Sequence, residues 1–435
     1  MTESGGEFDV VVVGAGAAGI AAAKHLVASG LAIKVIEARD RPGGRAHTVP
    51  TGLGFAVDLG CEWLHSADIN PWTRIARTLG FTIDETAPDW GRRVAWFEGD
   101  AAQREWQAAM EAFYARLDRA AGDPVDRPAS SCLDPRSRWN ALLGAISNWA
   151  NGAELDKVSA RDYGRYEPTY VNWRVIEGYG TLIARHGDGL PVAYGTVVER
   201  IDHSGRRIRI VTNRGELTAR AAIVTLPTAI IAAERMTFSP PLPDKIAAAA
   251  GLPLGNVNKV FLRLDQAGAE ELAPQSDRHL VGALDRVKTG SYQIRPHGWP
   301  VVSGFFGGEL SAELEREGLG GMAAFATSEL SGIFGSGIRP HLSPIAASSW
   351  GLDAFAHGSY SMALPGHADD RATLAAPVDG RLFFAGEACS IAHFGTAHGA
   401  YLTGEAAAVA AIEALKPTAE REAAWRGAPP IPAGT

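Results

Sequence analysis

The sequence is poor in cysteine: Cys61, Cys132 and Cys389 are the only three among 435 residues. Thiols this few and this scattered exclude a disulfide framework and a cysteine-based zinc site, and they suggest a reducing compartment. Basic excess is missing too. With 41 Lys and Arg against 49 Asp and Glu, the net charge is −8, which argues against a nucleic-acid partner held by a positive field. No apolar run reaches the ~20 residues that a membrane helix needs. The N-terminal stretch Met1 to Phe8 is short, polar and acidic, unlike a secretion signal. A soluble, cytoplasmic protein with neither membrane nor nucleic-acid partners is expected. No internal repeat is visible. Only the charged, proline-rich tail after Leu415 is low in complexity, and residues 418–435 are expected to be disordered.

Glycine, by contrast, is abundant, at 50 of 435 residues. It is clustered, which marks places where backbone approaches something closely. The apolar, β-branched run Asp9 to Val13 predicts a strand. It leads into Gly14-Ala15-Gly16-Ala17-Ala18-Gly19, an alanine-rich helix to about Ser29, and a second strand over Ile33 to Glu37. Strand, glycine turn, helix and strand together open a doubly wound α/β sheet. Gly14 permits the tight turn, Gly16 lets backbone approach a pyrophosphate, and Gly19 allows close packing of helix on strand. Ala18 lies among the first-turn amides, which with the positive end of the helix dipole favour phosphate. Glu37 ends the next strand, where a carboxylate accepts from ribose hydroxyls and repels a 2′-phosphate.

Further along, helices are predicted over Gln103 to Ala121 and Trp139 to Trp149, and the stretch Trp173 to Ile183 leads into another helix. Strands are predicted at Val197 to Ile201, Ile208 to Thr212 and Ala221 to Leu226, with Asn258 to Leu264 alternating in a strand-like way. Leu310 to Phe334 reads as a helix, Arg381 to Ala385 as a strand and Gly399 to Leu415 as an alanine-rich helix. Sheet-type segments at the start, middle and end, with helix-rich blocks between them, predict two interleaved domains.

The segment Glu37-Ala38-Arg39-Asp40-Arg41-Pro42-Gly43-Gly44-Arg45 adds a second glycine pair and guanidinium groups just after the ribose-binding acid. A nicotinamide enzyme has no use for that. Asp58-Leu59-Gly60-Cys61-Glu62-Trp63-Leu64-His65 follows, with Asn70-Pro71. Near the end stand Phe383-Phe384-Ala385-Gly386-Glu387 and Gly395-Thr396-Ala397-His398-Gly399-Ala400-Tyr401. These segments resemble those of the flavin amine oxidase superfamily, the polyamine oxidases and flavin-dependent histone lysine demethylases above all. The resemblance runs from Asp9 to Leu415. It implies a Rossmann-type, glutathione-reductase-like FAD-binding domain, from residues 8–73, 186–246 and 366–417. An α+β substrate-binding domain, from 74–185 and 247–365, is interleaved with it. It implies FAD held at its adenosine and pyrophosphate end by Gly14, Gly16, Ala18, Gly19, Glu37, Ala38, Arg39, Gly44 and Arg45, with Val198 meeting adenine through backbone. Around the ribityl chain and flavin it implies Gly60, Cys61, Glu62, Trp63, Gly386, Glu387, Thr396 and Ala397.

For the reaction, Lys259 lies in Gly255-Asn256-Val257-Asn258-Lys259-Val260-Phe261, and a lysine inside such a run is costly to bury without a partner. In the family the matching lysine holds a water at flavin N5. Trp350 and Tyr360 match the Trp and Tyr that wall the amine site, where an aromatic face favours an amine nitrogen. Ser359 stands where the monoamine oxidases carry the cysteine bonded to FAD, so the cofactor is expected to be noncovalent. Thr396 replaces their second cage tyrosine. His65 either touches substrate or is structural, Glu62 is a candidate to attract a second ammonium, and His398 reads as structural. No long helical hairpin interrupts the pattern, so no chromatin role is expected.

The implied reaction takes a neutral primary amine, diamine or polyamine. Hydride passes to N5, the imine is hydrolysed to an aldehyde or ketone, and O2 reoxidises the flavin to H2O2. Three alternatives remain: an L-amino-acid oxidase using Arg174 or Arg295 as its carboxylate clamp, a same-fold desaturase or protoporphyrinogen-oxidase-like enzyme, and a non-catalytic flavoprotein. Which amine is used, and whether the protein is a homodimer, stay open.

Overall fold

Valines at positions 10 to 13 are stiff at χ1 and favour extended backbone. The computed structural model, which describes residues 7–92 and 94–416, places them in strand Glu7–Val13 inside the largest sheet. Gly215–Val224 and Ile33–Ile36 flank that strand in parallel, pairing Val13 with Val224 and Ile36. Val10, Val11 and Val12 are fully buried, as a strand covered on both faces requires. Strand Leu382–Phe384, from near the other end of the chain, joins in parallel beside Gly215–Val224. Antiparallel strands Val198–Asp202 and Ile208–Thr212 extend the other half of that long strand. The architecture is the expected mixed α/β one, with a Rossmann-type parallel core.

Helix Ala17–Ala28 covers the sheet together with Ala397–Leu415. Both are rich in alanine, so their backbones come close. A Cβ on Gly404 would stand 2.1 Å from the Ala18 carbonyl oxygen.

A second sheet has five antiparallel strands in the order His279–Val281, Ser291–Ile294, Val301–Gly307, Val257–Leu264, Leu342–Ala347. Helix Gly308–Phe334 packs Leu310, Leu314 and Met322 on Val260, Leu262, Tyr292 and Phe306. The alternation expected over Asn258 to Leu264 therefore has no exposed face before Arg263, since residues 257–262 are all buried. A smaller sheet of Trp63–His65, Asn172–Val175 and Ile83–Asp84 lies opposite.

The stretch from Trp173 does lead into a helix, after a strand that the sequence did not announce: Trp173 sits in the middle strand of that small sheet. The helix is Tyr179–His186, entered through Gly178 at φ 94°. Helices Ala95–Ala121 and Asn140–Asn151 bury Trp106, Phe113, Leu117, Trp139 and Leu142 in a separate cluster. The tail expected to be disordered, 418–435, lies outside the described residues. Among the described residues no helix is long and apolar enough to cross a membrane.

Candidate functional site

The glycine turn has the geometry its spacing predicts. Gly14 has φ 106°, and a Cβ at Gly19 would stand 1.9 Å from the Gly14 carbonyl oxygen, so turn and helix meet backbone to backbone. Gly16 is different: a Cβ there would meet only the Gly43 carbonyl oxygen, at 3.9 Å, which leaves that side open. Gly16 is also the N-cap of the first helix and has no side chain to accept from its first-turn amides. Beside it lie Gly43 and Gly44, at φ 93° and 59°. Open donors at a helix start, with backbone free to approach, suit a pyrophosphate.

Glu37 is buried. Its carboxylate accepts from the Ala15 amide at 2.7 Å and the Arg39 amide at 2.9 Å, which leaves acceptor capacity for ribose hydroxyls. The Thr196 amide donates to the Glu37 carbonyl at 2.9 Å, which sets Val198 close to this strand end. Ala38 follows, and Arg39 turns to Asp353, donating at 2.8 and 3.1 Å with its guanidinium 5.3 Å from the Phe355 ring centre. The Arg39 charge is thus matched by the loop that follows Trp350.

Arg45 donates to Glu387 and to the Ser359 carbonyl, both at 2.8 Å. Glu387 also accepts from Ser361 Oγ at 2.6 Å and the Gly395 amide at 2.9 Å. Behind it the fully buried Arg371 donates to Ser361 Oγ at 2.9 Å and to both Asp162 oxygens. Gly386, at φ 135°, has nothing within 4 Å of a Cβ, so space stays open beside Glu387. Burial alone would raise the Glu387 carboxyl, but Arg45, Ser361 and Arg371 hold it below its ordinary 4.5. A carboxyl depressed on folding adds stability that is present above the unfolded value and lost as pH falls through the folded one. The thermal midpoint is therefore expected to fall as pH drops below about 4.5, and Glu387→Gln to flatten part of that fall. Identical acid profiles for the two proteins, followed by calorimetry, would contradict the assignment.

Next to this cradle, a Cβ on Gly60 would stand 1.7 Å from the Arg45 carbonyl oxygen, so segment 58–63 packs directly against it. Lys259 is 7% exposed, which excludes a solvent-facing strand lysine. Its ammonium donates to Glu62 at 2.7 Å and to the Asp58 carbonyl at 3.0 Å. Glu62 is therefore the partner of Lys259 and not a spare carboxylate for a second ammonium. Burial would raise Glu62, but Lys259, with Arg174 and His297 near, holds it low. Burial pushes the Cys61 thiol well above its ordinary value, so it stays protonated.

Trp350, largely buried, donates through its indole N–H to the Leu59 carbonyl at 3.0 Å, which ties it to the same segment as Lys259. The Tyr360 hydroxyl donates to the Trp149 carbonyl, and burial raises its phenol. A Cβ on Gly395 would come within 3.7 Å of the Tyr360 side chain. Thr396, the next residue, caps the last helix by accepting from the Gly399 amide at 3.0 Å, with Ala397 as its first residue. Tyr360, Thr396 and Ala397 are thus brought together.

The sequence reading missed the scaffold behind Lys259 and Trp350. Asn258 Oδ1 accepts from the Trp350 amide at 2.8 Å and from Ser348 Oγ at 3.1 Å, and Ser348 Oγ accepts from the Lys259 amide at 2.8 Å. Glu315 accepts from Asn256, Asn258 and the Gly351 amide. Asn256, just before the strand, and Asn258 within it were the signal available.

His65 hydrogen-bonds Asn172 at 2.7 Å, and burial keeps it neutral. Trp63 packs 4.9 Å from Trp90 and 5.8 Å from His279, neither of which sequence reasoning singled out. Of the two candidate clamp arginines, Arg295 is spent on the carbonyls of Ala269 and Gly298. Arg174 donates through Nη2 to Asp84 and Asp277 and lies 5.0 Å from the Trp63 ring centre. Burial, with His393 beside it, lowers His398 to about 3. Ser359 Oγ donates to the Gly255 carbonyl at 2.8 Å. Among the described residues no cluster of His, Cys, Asp and Glu could hold a metal. An open glycine cradle at a helix start, with a buried carboxylate at the end of the next strand that keeps acceptor capacity, fits the pyrophosphate and ribose of a dinucleotide.

Comparison with known proteins points the same way. The sequence model of the family described as flavin containing amine oxidoreductase matches residues 17–157 and 134–412. A probable polyamine oxidase 4 of Arabidopsis thaliana is 29% identical over 92% of this chain and 86% of its own length. A lysine-specific histone demethylase 1 homolog of Oryza sativa subsp. japonica is 28% identical over 95% of this chain, which spans 53% of that protein. Among solved structures, the cyclohexylamine oxidase of Brevibacterium oxydans superposes with a TM-score of 0.78 at 20% identity, over 94% of this chain and 100% of its own. A wild-type putrescine oxidase bound to putrescine gives 0.75 at 19% identity, with the same coverage.

Proposed function

From the premise that this chain belongs to the flavin containing amine oxidoreductase family, and is an FAD-dependent amine oxidoreductase, we propose that it oxidises a small amine at the face formed by Lys259, Trp350 and Tyr360. The observation that carries the reading is the buried Lys259, held at that face by Glu62 and the Asp58 carbonyl.

FAD would rest on Gly14, Gly16, Gly19, Glu37, Gly44, Arg45 and Glu387, and would there supply a hydride acceptor that dioxygen can reoxidise. With Ser359 at the position where the monoamine oxidases carry their tethering cysteine, the cofactor would be held without a covalent bond. The N-terminus of the last helix, at Ala397, presents amides and a positive dipole end that favour negative charge beside it. Trp350 and Tyr360 exclude water and offer aromatic faces to the nitrogen. Lys259 spends two of its three donors on Glu62 and Asp58, which leaves one to hold a water at the reacting centre. Glu62 is paired and depressed, so it is no base for the substrate. The amine must arrive neutral, and kcat/KM should rise with pH through the amine's own pKa. The segments between the cofactor-binding stretches, 74–185 and 247–365, form the substrate-binding part in this reading.

Mixing the oxidised holoenzyme anaerobically with alkylamines, diamines, polyamines and L-amino acids tests this directly through the flavin absorbance. Rapid bleaching by at least one amine is expected, and none by L-α-amino acids. If no amine bleaches a flavin that dithionite does reduce, the proposal fails.

A further inference from the structure

We propose that Asp58 is a positioning residue for the reaction: its carboxylate fixes the backbone carbonyl that, together with Glu62, aims the Lys259 ammonium. This rests on the amine-oxidase reading above and deepens it. The Asp58 carbonyl accepts from Lys259 Nζ at 3.0 Å. Its carboxylate, on a residue only 6% exposed, accepts from the Tyr179 amide at 2.9 Å, the Gly180 amide at 3.1 Å and the Thr48 hydroxyl. The two amides open helix Tyr179–His186, and Thr48 stands opposite Asp58 across a two-stranded ladder. Thr48 Oγ1 in turn accepts from the Thr181 amide at 2.9 Å. Glycines let these elements close on Asp58. A Cβ on Gly178 would stand 2.3 Å from the Thr48 side chain, and one on Gly180 2.6 Å from the Thr48 amide nitrogen. The helix start is thus pressed onto the strand, and its amides are held against the carboxylate.

A helix start needs only a neutral cap, such as serine or asparagine, and a carboxylate is costlier to bury. The charge has its use at Lys259. Asp58 and Glu62 take two of the three ammonium donors, so the direction of the third follows from where those acceptors stand. Glu62 reaches the ammonium through a side chain. The Asp58 carbonyl is main chain, and charge-assisted hydrogen bonds to its own carboxylate, roughly twice as strong as neutral ones, hold it in place. Loosening them swings the third donor away from the reacting centre, where small misplacements act on rate. Burial outweighs the Lys259 charge and these bonds, and it raises Asp58 from its ordinary 3.8 to about 6. The other titratable groups facing it stay clear of that value. Despite its burial Glu62 is held low by Lys259, and burial pushes the Cys61 thiol and the Tyr179 phenol high. Of the two carboxylates, Asp58 alone changes charge near pH 6.

Asp58→Asn keeps the shape and removes the charge. Anaerobic stopped-flow reduction of the holoenzyme by its best amine gives a limiting rate and an apparent Kd, and the spectrum gives the flavin content. With flavin content unchanged, the limiting rate should fall about tenfold or more and the apparent Kd should move less than about twofold. The ratio of wild-type to variant rate cancels the titration of the amine itself. That ratio should fall toward one as pH drops through about 6, because the protonated carboxyl then resembles the amide. Thr48→Val cuts one bond to the carboxylate and should slow the same step less severely, while Thr48→Ser restores it. A merely structural Asp58 would cost flavin content or thermal midpoint and leave the limiting rate and its pH dependence alone. That outcome, or wild-type values throughout in Asp58→Asn, overturns the inference while amine oxidation stands. If Asp58→Asn does not fold, the Thr48 pair decides: Thr48→Val reducing its flavin at the wild-type rate overturns the inference. A wild-type flavin that no amine reduces removes the amine-oxidase reading itself.

Discussion

Lys259→Met should lower kcat/KM for the best amine by about 100-fold or more, the scale on which losing one preorganised polar group at a reacting centre acts. The variant keeps the length and most of the volume of the side chain, so the strand should hold its register through the Ser348 and Phe305 pairings. Two effects are mixed in that loss. The ammonium itself disappears, and Glu62 is left partly buried without the cation that depresses it. A double-mutant cycle with Glu62→Gln separates them. If Lys259 acts only by neutralising Glu62, the double variant recovers most of the activity. If the remaining N–H of Lys259 is the working group, the double variant stays as slow as the single one. Stopped-flow traces of flavin reduction and of reoxidation by O2, recorded separately, show which half-reaction suffers. A single variant indistinguishable from wild type in both halves would remove Lys259 from the reaction.

Gly19→Ala is expected to yield colourless protein. The added carbon would sit 1.9 Å from the Gly14 carbonyl oxygen. Both atoms belong to backbone that turns from strand into helix, so no side-chain rotamer can relieve the clash. The helix must move off the turn, and the amide cradle for the phosphates moves with it. The flavin-to-protein absorbance ratio should drop from near one per chain to near zero, and added FAD should not restore it. Gly320→Ala is the control. It lies in a helix with nothing within 4 Å of a new Cβ, where alanine favours the helix by roughly 1 kcal/mol. A yellow Gly19→Ala protein with full flavin content would refute the packing account.

What could be read from the sequence was what the chain keeps contiguous. The glycine turn, Glu37 and the second glycine pair sit within one strand–helix–strand unit, where local spacing sets the geometry. The segments around Asp58, Tyr360 and Glu387 are likewise continuous stretches. The burial of Lys259 followed from its apolar flanks, though not its partner. Glu62 stands 197 positions away, and no spacing rule connects the two. Arg39 and Asp353 are separated by 314 positions, and nothing in either neighbourhood announces the other. Trp90 and His279 pack against Trp63 only because distant segments close on each other, a tertiary event without a local signature. The strand at Trp173, which precedes the expected helix, was not legible for a related reason: a middle strand is fixed by both neighbours, and a single segment does not contain them.

The last strand and last helix have a consequence in time. Leu382–Phe384 pairs inside the sheet that opens the chain, Glu387 takes the Arg45 guanidinium, and Gly404 packs on Ala18. A nascent chain leaving the ribosome therefore carries an incomplete nucleotide cradle until its final quarter has emerged. Contacts of such sequence separation also slow folding. The glycine turn is made first and must wait for these later segments, and flavin supply once they have emerged should govern how much of the protein survives to become enzyme.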